Sequence, residues 1–198
     1  AAIRETKPQV AVLCTSSALK NVWPQVAALL KLKVPIVSTT EELSYPWFSN
    51  RALARKIDAA AKKAKVAVVG TGVNPGFSMD ALPITLTAIC ERVDSVRVDR
   101  IQDARIRRLP FQQKIGSGLT PAEFGERVKA LTVRHVGLTE SVAMIADALG
   151  WKLDRVEEML EPAIAPRDLD TEHLRIPAGA AAGIKQYARA YRDGELAI

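Results

Sequence analysis

The sequence has little that would favour a membrane, a metal site or an oxidising compartment. No apolar run in its 198 residues approaches the roughly 18 residues that a membrane-spanning helix needs, and no basic-then-apolar signal segment opens the chain. Its two cysteines, Cys14 and Cys90, lie far apart in apolar stretches and lack the spacing of metal ligands. We therefore expect reduced core cysteines, no metal, and a cytoplasmic protein without a membrane partner.

Positive charge is what the composition shows in excess. With 48% apolar and 25% charged residues, the chain can form one large or two small domains, and its net charge is +6. The densest basic group is typical of a solvated surface, or of a site for a cofactor phosphate or a substrate carboxylate. Because the charge is spread along the chain rather than gathered in a tail, we do not expect nucleic acid as a partner. The group comprises Arg105, Arg107, Arg108 and Lys114.

Three short apolar runs alternate with helical patterns in the first third of the chain. Apolar runs of this length are typical of buried parallel strands, and strands separated by helices pair through right-handed crossovers. Residues 1–75 are therefore predicted to form an α/β layer. The predicted strands are 9–15, 34–40 and 66–69, and the predicted helices between them are 16–33 and 49–65.

The pattern changes beyond a boundary between residues 74 and 80. Segments with helical spacing of apolar residues are now interspersed with segments in which apolar and polar residues alternate. This pattern predicts an α+β domain with a mixed or antiparallel sheet over 76–198. The predicted elements are a helix over 78–93, a half-exposed strand over 96–102, an irregular basic loop over 105–120, helices capped by Thr120, by Thr139 and by Asp154 with Glu157, and a hairpin turn at Asp193-Gly194.

The stretch "VAVVGTGVNPGF" (66–77) imitates the phosphate loop of a dinucleotide-binding domain. Its glycines, Gly70, Gly72 and Gly76, are spaced one residue too far apart for that fingerprint. Pro75 also lacks the backbone N–H that a diphosphate would need. The stretch therefore favours a tight crossover into another domain, although the end of a parallel strand still lies beside the usual ligand crevice.

Three segments together carry a specific resemblance. They are "STTEELSYPW" (38–47), "GTGVNPGFSMDALP" (70–83) and the long segment that runs from "PFQQKIGSGLTPAEF" to "HVGLTESVAMIADALGW" (110–151). The sequence resembles the 2,4-diaminopentanoate dehydrogenase family, a branch of the dihydrodipicolinate-reductase-like enzymes, over nearly its whole length. The resemblance implies an NAD- or NADP-dependent oxidoreductase. It would oxidatively deaminate 2,4-diaminopentanoate to 2-amino-4-oxopentanoate by hydride transfer.

The resemblance also has a gap. Members of the family begin with a Gly-rich strand–turn–helix, and no counterpart precedes residue 9. We expect residues 1–75 to be the second half of a Rossmann domain and 76–198 a substrate-binding and oligomerisation domain, in a homodimer or homotetramer. The alternative is an incomplete fragment that serves as a substrate-binding or oligomerisation module. The preference for NAD or NADP stays open.

The resemblance assigns a cofactor role to residues that follow the predicted strands. Short hydroxyl side chains allow a nicotinamide ring to approach and donate to its carboxamide, although Ser16 and Thr40 could simply cap helices. Glu41 or Glu42 would hold a substrate ammonium, with Glu42 as the catalytic candidate, unless they are first-turn carboxylates that complement a helix dipole. The predicted cofactor-binding residues are Thr15, Ser16, Thr39, Thr40, Glu41 and Asn74.

A second set of candidates lies in the later domain. "KIGSGLT" (114–120) resembles a carboxylate-binding loop in which backbone N–H groups converge before a helix. Lys114 would add a charge or a proton, Asp103 would contact an amine, and His135 would be a substrate ligand or acid–base group near neutral pH, or a structural residue. The predicted substrate-binding residues of the loop are Gly116, Ser117, Gly118 and Thr120.

Overall fold

The computed structural model describes residues 2–198, without the side chains of Ala2 and Arg4. The helices are α1 (Ala2–Thr6), α2 (Leu19–Lys31), α3 (Arg51–Ala64), α4 (Ala81–Thr87), α5 (Leu109–Lys114), α6 (Pro121–Lys129) and α7 (Leu138–Ala148), with a 3-10 helix at Glu41–Leu43. The strands are β1 (Ala11–Leu13), β2 (Ile36–Ser38), β3 (Val68–Gly70), β4 (Arg155–Ile164), β5 (Leu169–Asp170), β6 (Arg175–Ile176), β7 (Ala181–Arg192) and β8 (Glu195–Leu196).

The chain forms two compact units, each made of separated segments. The first contains the residues up to Val98 together with Val136–Arg155 and Ala190–Ile198. The second contains Asp99–His135 and Val156–Arg189. The domain boundary predicted after residue 75 does not coincide with an edge of either unit, so the assignment of 1–75 and 76–198 to two functional domains stays a prediction.

The first unit contains a three-stranded parallel sheet in the order β1-β2-β3. Its strands align so that Leu13, Ser38 and Gly70 lie side by side at their carboxyl ends. Helix α2 places apolar residues three or four positions apart, which builds one continuous apolar face, and each fully buried side chain of this kind contributes about 1.5–3 kcal/mol. The predicted α/β layer is confirmed. Its buried core comprises Leu19, Val22, Val26, Leu29, Leu30, Val34, Ile36, Leu43 and Ile57.

A second sheet has the order β4-β7-β8. Strands β4 and β7 run in opposite directions, because the Asp154 N–H donates to the Tyr191 carbonyl while the Ala165 N–H donates to the Ala180 carbonyl. Strands β7 and β8 are also antiparallel. The turn between them is Asp193-Gly194, with φ of 54° and 82°, the conformation that favours this pair of residues in a two-residue hairpin. The predicted hairpin and antiparallel sheet are both confirmed.

Two predicted elements are wrong. Residues 96–102 belong to no strand; Val96 donates its N–H to the Ala197 carbonyl, and Ile101 is 94% exposed. The helix predicted from Asp154 is instead strand β4. The Asp-x-x-Glu signal is local, whereas pairing with β7, far along the chain, sets the conformation.

Two further expectations need correction. The basic loop predicted over 105–120 contains the short helix α5, with a proline at its start, a position where the missing N–H costs nothing. Cys14 and Cys90 are free thiols as expected, but both are exposed rather than in the core, because each lies just beyond the end of its strand or helix.

Candidate functional site

The parallel sheet brings the predicted cofactor segments to one edge. Leu13, Ser38 and Gly70 end the three strands in register, and the ladder continues as the Thr39 N–H donates to the Leu13 carbonyl at 3.0 Å and the Thr71 N–H to the Ser38 carbonyl at 2.8 Å. The chain leaves each strand at this edge, which is the carboxyl edge where open α/β sheets bind ligands. Thr15, Ser16, Thr39, Thr40, Glu41 and Asn74 all follow these strand ends.

The hydroxyl side chains at this edge differ in accessibility. Thr15 and Thr39 are exposed. Thr40 is buried, with its hydroxyl 2.9 Å from the Ser38 hydroxyl and its N–H donating to the same oxygen at 3.2 Å. Thr40 therefore reinforces the turn after β2, and it makes no side-chain cap to the 3-10 helix. Ser16 accepts the Ala18 N–H at 3.3 Å but does not cap α2.

Glu42 is held by the start of α2. Its Oε2 accepts the Leu19 N–H at 2.7 Å and the Asn50 side-chain amide at 3.3 Å, and its own N–H donates to the Ser17 carbonyl at 3.3 Å. A carboxylate at this position satisfies an unpaired helix N–H and complements the helix dipole. Glu42 therefore has the structural role considered from the sequence, that of a carboxylate at a helix start. The helix is α2, whose Leu19 lies 23 residues earlier in the chain, and not the 3-10 helix to which Glu42 itself belongs.

Glu41 has a different environment from its neighbour. Its carboxylate is half-buried and makes no hydrogen bond or ion pair with the residues that the structure describes. A Cβ added to Gly137 would lie 3.3 Å from the Glu41 Cβ and 2.5 Å from the Pro75 ring. Glu41 is thus the carboxylate at the sheet edge that remains available to a ligand.

The glycine-rich turn after β3 is packed against itself. A Cβ on Gly76 would lie 2.5 Å from the Gly72 nitrogen, and one on Gly70 would lie 2.3 Å from the Leu43 carbonyl oxygen. The Gly76 N–H donates to Asp80 at 2.8 Å, and the Ser78 N–H donates to the Val73 carbonyl at 2.8 Å. These N–H donors are therefore used inside the turn.

Two buried carboxylates in the same unit are absent from the sequence-based candidates. Asp80 accepts the N–H groups of Gly76 and Ala81 and the Ser141 hydroxyl at 2.7 Å. Glu140 accepts the hydroxyl of Ser49 and that of Thr139, the latter at 3.0 Å. The signal that could have found them is the polar pair at 140–141 at the start of the apolar helix α7. Thr139, predicted to cap that helix, donates to Glu140 instead, and the N-cap is Gly137.

Tyr45 lies on the segment that links the 3-10 helix to α3. Partial burial, together with a hydrogen bond to Asp147, raises its pKa to about 12. The phenol therefore stays protonated at physiological pH and acts as a hydrogen-bond donor to that carboxylate.

In the second unit, the loop 114–120 does not present converging N–H groups. Gly116 and Ser117 donate their N–H groups to carbonyls of α5, at 3.1 and 3.0 Å, and Gly118 donates to the first carbonyl of β7 at 2.8 Å. The Ser117 hydroxyl is buried and donates to β7 at 3.3 Å. Thr120 forms a capping box with Glu123. The expectation that these backbone N–H groups bind a substrate carboxylate is therefore wrong, because they already donate within the protein. A substrate contact by the side chains of this loop stays a prediction.

Lys114 is the accessible cation of this loop. It is exposed at the end of α5, and its amine makes no ion pair with the described residues. Asp103 is engaged by Arg105, with a 2.7 Å ion pair, and hydrogen bonds from that guanidinium and backbone hold the pKa of the Asp103 carboxyl below its usual range. An amine ligand would have to compete with Arg105 for Asp103.

His135 is held through its backbone. Its N–H donates to Gln186 Oε1 at 2.6 Å, and its carbonyl accepts from Gln186 Nε2 at 2.8 Å. The residue is half-buried. His173, the second histidine, is exposed in the turn between β5 and β6.

The comparison with known families decides the identity of the fold. Residues 77–198 match the family model described as the 2,4-diaminopentanoate dehydrogenase C-terminal domain. The chain belongs to this family. The resemblance seen in the sequence is thereby confirmed.

Two longer proteins are similar to this chain. Over 198 residues the chain is 36% identical to a 2,4-diaminopentanoate dehydrogenase of Acetoanaerobium sticklandii, covering 99% of this chain and 56% of that protein. An amine dehydrogenase structure from Mycobacterium smegmatis superposes with a TM-score of 0.80 at 22% identity, over 96% of this chain and 57% of that one. The second comparison shows the shared fold, and the chain spans just over half the length of each relative.

Residues 2–198 contain no helix that is both long and apolar enough to cross a membrane. Within the same range, His, Cys, Asp and Glu side chains form no group of three or more that could hold a metal ion.

Proposed function

We propose that this chain is part of an NAD- or NADP-dependent amine dehydrogenase that oxidatively deaminates 2,4-diaminopentanoate to 2-amino-4-oxopentanoate. The observation that carries the proposal is the carboxyl edge of the parallel sheet, where the chain carries two exposed threonines, Thr15 and Thr39, and a carboxylate with no partner among the described residues, Glu41. The family assignment of residues 77–198 supports the same activity.

The residues at this edge fit the nicotinamide end of such a cofactor better than its diphosphate. The exposed Thr39 hydroxyl can donate to a carboxamide, and the exposed Thr15 hydroxyl, which donates to Gln25 Oε1 at 3.1 Å, can still accept from one. Ser16 and Asn74 follow the ends of β1 and β3. The N–H groups of Gly76 and Ser78, which could otherwise bind a diphosphate, donate to Asp80 and to the Val73 carbonyl inside the turn. When bound, the nicotinamide supplies a hydride acceptor for the carbon that carries the amine.

Glu41 is assigned the substrate ammonium in this proposal. A carboxylate pairs directly with an ammonium group through charge-assisted hydrogen bonds, and Glu41 has no competing partner among the described residues. Glu42, whose oxygen accepts the Leu19 N–H, holds the turn in place instead. Loss of a hydride from the carbon to the nicotinamide, together with loss of one proton from the ammonium to a base, leaves an iminium group, and water converts it to the ketone with release of ammonium.

The second unit supplies a cation and a candidate acid–base group. Lys114 is exposed and offers a charge for the substrate carboxylate. His135 is assigned as a substrate ligand or as the group that transfers a proton near neutral pH.

Cofactor binding is the direct test of this function. NADH and NADPH are titrated against this chain, and against a version extended to the length of its relatives, with Thr39→Val as the matched variant. Binding by the extended protein that Thr39→Val weakens, with 2,4-diaminopentanoate-dependent reduction of the oxidised cofactor, supports the proposal. No binding by either form contradicts it.

An exposed sheet face favours a second candidate, an oligomerisation module. Val12 is 65% and Val69 47% exposed, although parallel sheets are normally covered on both faces. We propose that further polypeptide covers this face, either more of the same protein or another copy in a homodimer or homotetramer. A mass measurement that shows a stable oligomer without cofactor binding favours the module over the enzyme. A cytoplasmic location is proposed with both, in keeping with two free thiols.

A further inference from the structure

The side-chain amide of Gln186 pairs with the backbone of a residue 51 positions away. Its Oε1 accepts the His135 N–H at 2.6 Å, and its Nε2 donates to the His135 carbonyl at 2.8 Å. One side chain therefore satisfies both backbone groups of a single residue, as a neighbouring strand would. Gln186 lies within strand β7, so the contact ties residue 135 to a regular element of its own unit.

Glu158 on strand β4 fixes which way the amide faces. Gln186 Nε2 donates to Glu158 Oε1 at 2.5 Å. An ionised carboxylate only accepts hydrogen bonds, so the NH₂ group of the amide must point toward Glu158 and its oxygen toward the His135 N–H. Both N–H groups and the oxygen of Gln186 are then used, which makes the amide a well-defined support.

The chain just before His135 is anchored as well. Val133 is 1% exposed and packs with Phe124 and Ala181 in the core of the same unit. A backbone held at 133 by packing and at 135 by two hydrogen bonds fixes the direction of the His135 Cα–Cβ bond, and that direction sets where the imidazole can reach.

We propose that Gln186 is a positioning residue for His135, with Glu158 setting the orientation of the Gln186 amide. The proposal rests on the role proposed above for His135. A misplacement of about 1 Å at a reacting group can cost ~100-fold in rate. Gln186→Leu is therefore expected to lower kcat by about 10–100-fold with a smaller change in KM.

The imidazole resonances test the positioning without requiring turnover. The chain has only two histidines, so His173→Asn assigns both signals, and the exposed His173 serves as an internal reference. In folded Gln186→Leu, the His135 signal is expected to shift and broaden while that of His173 stays in place. Glu158→Gln, which keeps an acceptor oxygen for the Gln186 amide, is expected to retain most of the parent spectrum. Gln102→Leu, an exposed glutamine of the same unit, should change neither signal.

Each outcome decides one claim. Should Gln186→Leu fail to fold, Gln186→Glu keeps the size and the acceptor for the His135 N–H but removes both donors, and it should give the same shift. An unchanged His135 signal in either folded variant overturns the positioning role. Full turnover of His135→Asn would instead remove the proposed role of His135 while leaving the observed contacts with Gln186 intact.

Discussion

Glu41 and Glu42 are adjacent at the sheet edge but have different partners. Glu42 Oε2 accepts a helix N–H at 2.7 Å, whereas the Glu41 carboxylate has no partner among the described residues. The same substitution at each position is therefore a matched pair, because charge and volume change identically while the environment differs.

We predict that Glu41→Gln lowers activity and that Glu42→Gln lowers stability. Glu41→Gln removes the charge that pairs with the substrate ammonium, so kcat/KM should fall by about 10–100-fold (a loss of ~1.5–3 kcal/mol) with little change in stability. Glu42→Gln weakens the acceptor at the start of α2 and should lower the free energy of unfolding by about 0.5–2 kcal/mol. Steady-state kinetics and urea unfolding of both variants check this, and an equal loss of stability in the two would contradict it.

Tyr45 gives a prediction about alkaline pH. Its folded pKa of about 12 exceeds the ordinary value of 10.0, so the unfolded chain releases this proton first as the pH rises. Stability is then lost between about pH 10 and 12. An absorbance titration of the phenolate should show a late-ionising tyrosine that disappears in Tyr45→Phe. The same tyrosine should ionise earlier in Asp147→Asn, and an unchanged titration of that variant counts against the assigned cause.

At the scale of elements, local signals predicted the first half of the fold but only part of the second, where the hairpin at Asp193-Gly194 and the cap at Thr120 were found and strand β4 was not. Short apolar runs separated by amphipathic helices identify a parallel layer, because each strand and helix carries its own pattern. Strand β4 was predicted as a helix because an Asp-x-x-Glu pair resembles a cap, while its actual partner, β7, begins well over ten residues later. The segment 96–102 has a strand pattern but no strand partner in the described chain.

The candidate site divides in the same way. The carboxyl edge was predictable because strand ends can be located from the sequence, and the segments after β1, β2 and β3 do meet there. The orientation of individual side chains was not predictable. Thr40 turns inward to Ser38, and Glu42 turns to Leu19, through contacts that no local pattern encodes.

The close packing of Gly70, at the end of β3, against the Leu43 carbonyl leads to a prediction about stability. Gly70→Ala should destabilise the protein by about 1–3 kcal/mol, because the new Cβ would lie 2.3 Å from the Leu43 carbonyl oxygen. Gly125 in α6 has nothing within 4 Å of an added Cβ, so Gly125→Ala should be neutral or stabilise by up to about 1 kcal/mol. Thermal unfolding of the two variants measures the difference, and similar midpoints would exclude the tight packing of the turn.

On the scale of the whole molecule, this chain spans just over half of the length of its relatives. It carries the carboxyl edge of a parallel sheet with accessible hydroxyls and a carboxylate, while the glycine turn beside them uses its donors internally. We propose that this chain orients the nicotinamide and the amine, and that the part which its longer relatives have in addition would bind the diphosphate.

The most direct test is amine-dependent reduction of NAD or NADP by the chain extended to the length of its relatives. We predict reduction that requires 2,4-diaminopentanoate, falls by about 10–100-fold in Glu41→Gln and persists in Glu42→Gln at temperatures where that variant is folded. No reduction with either cofactor, or a Glu41→Gln variant as active as its parent, would contradict the account.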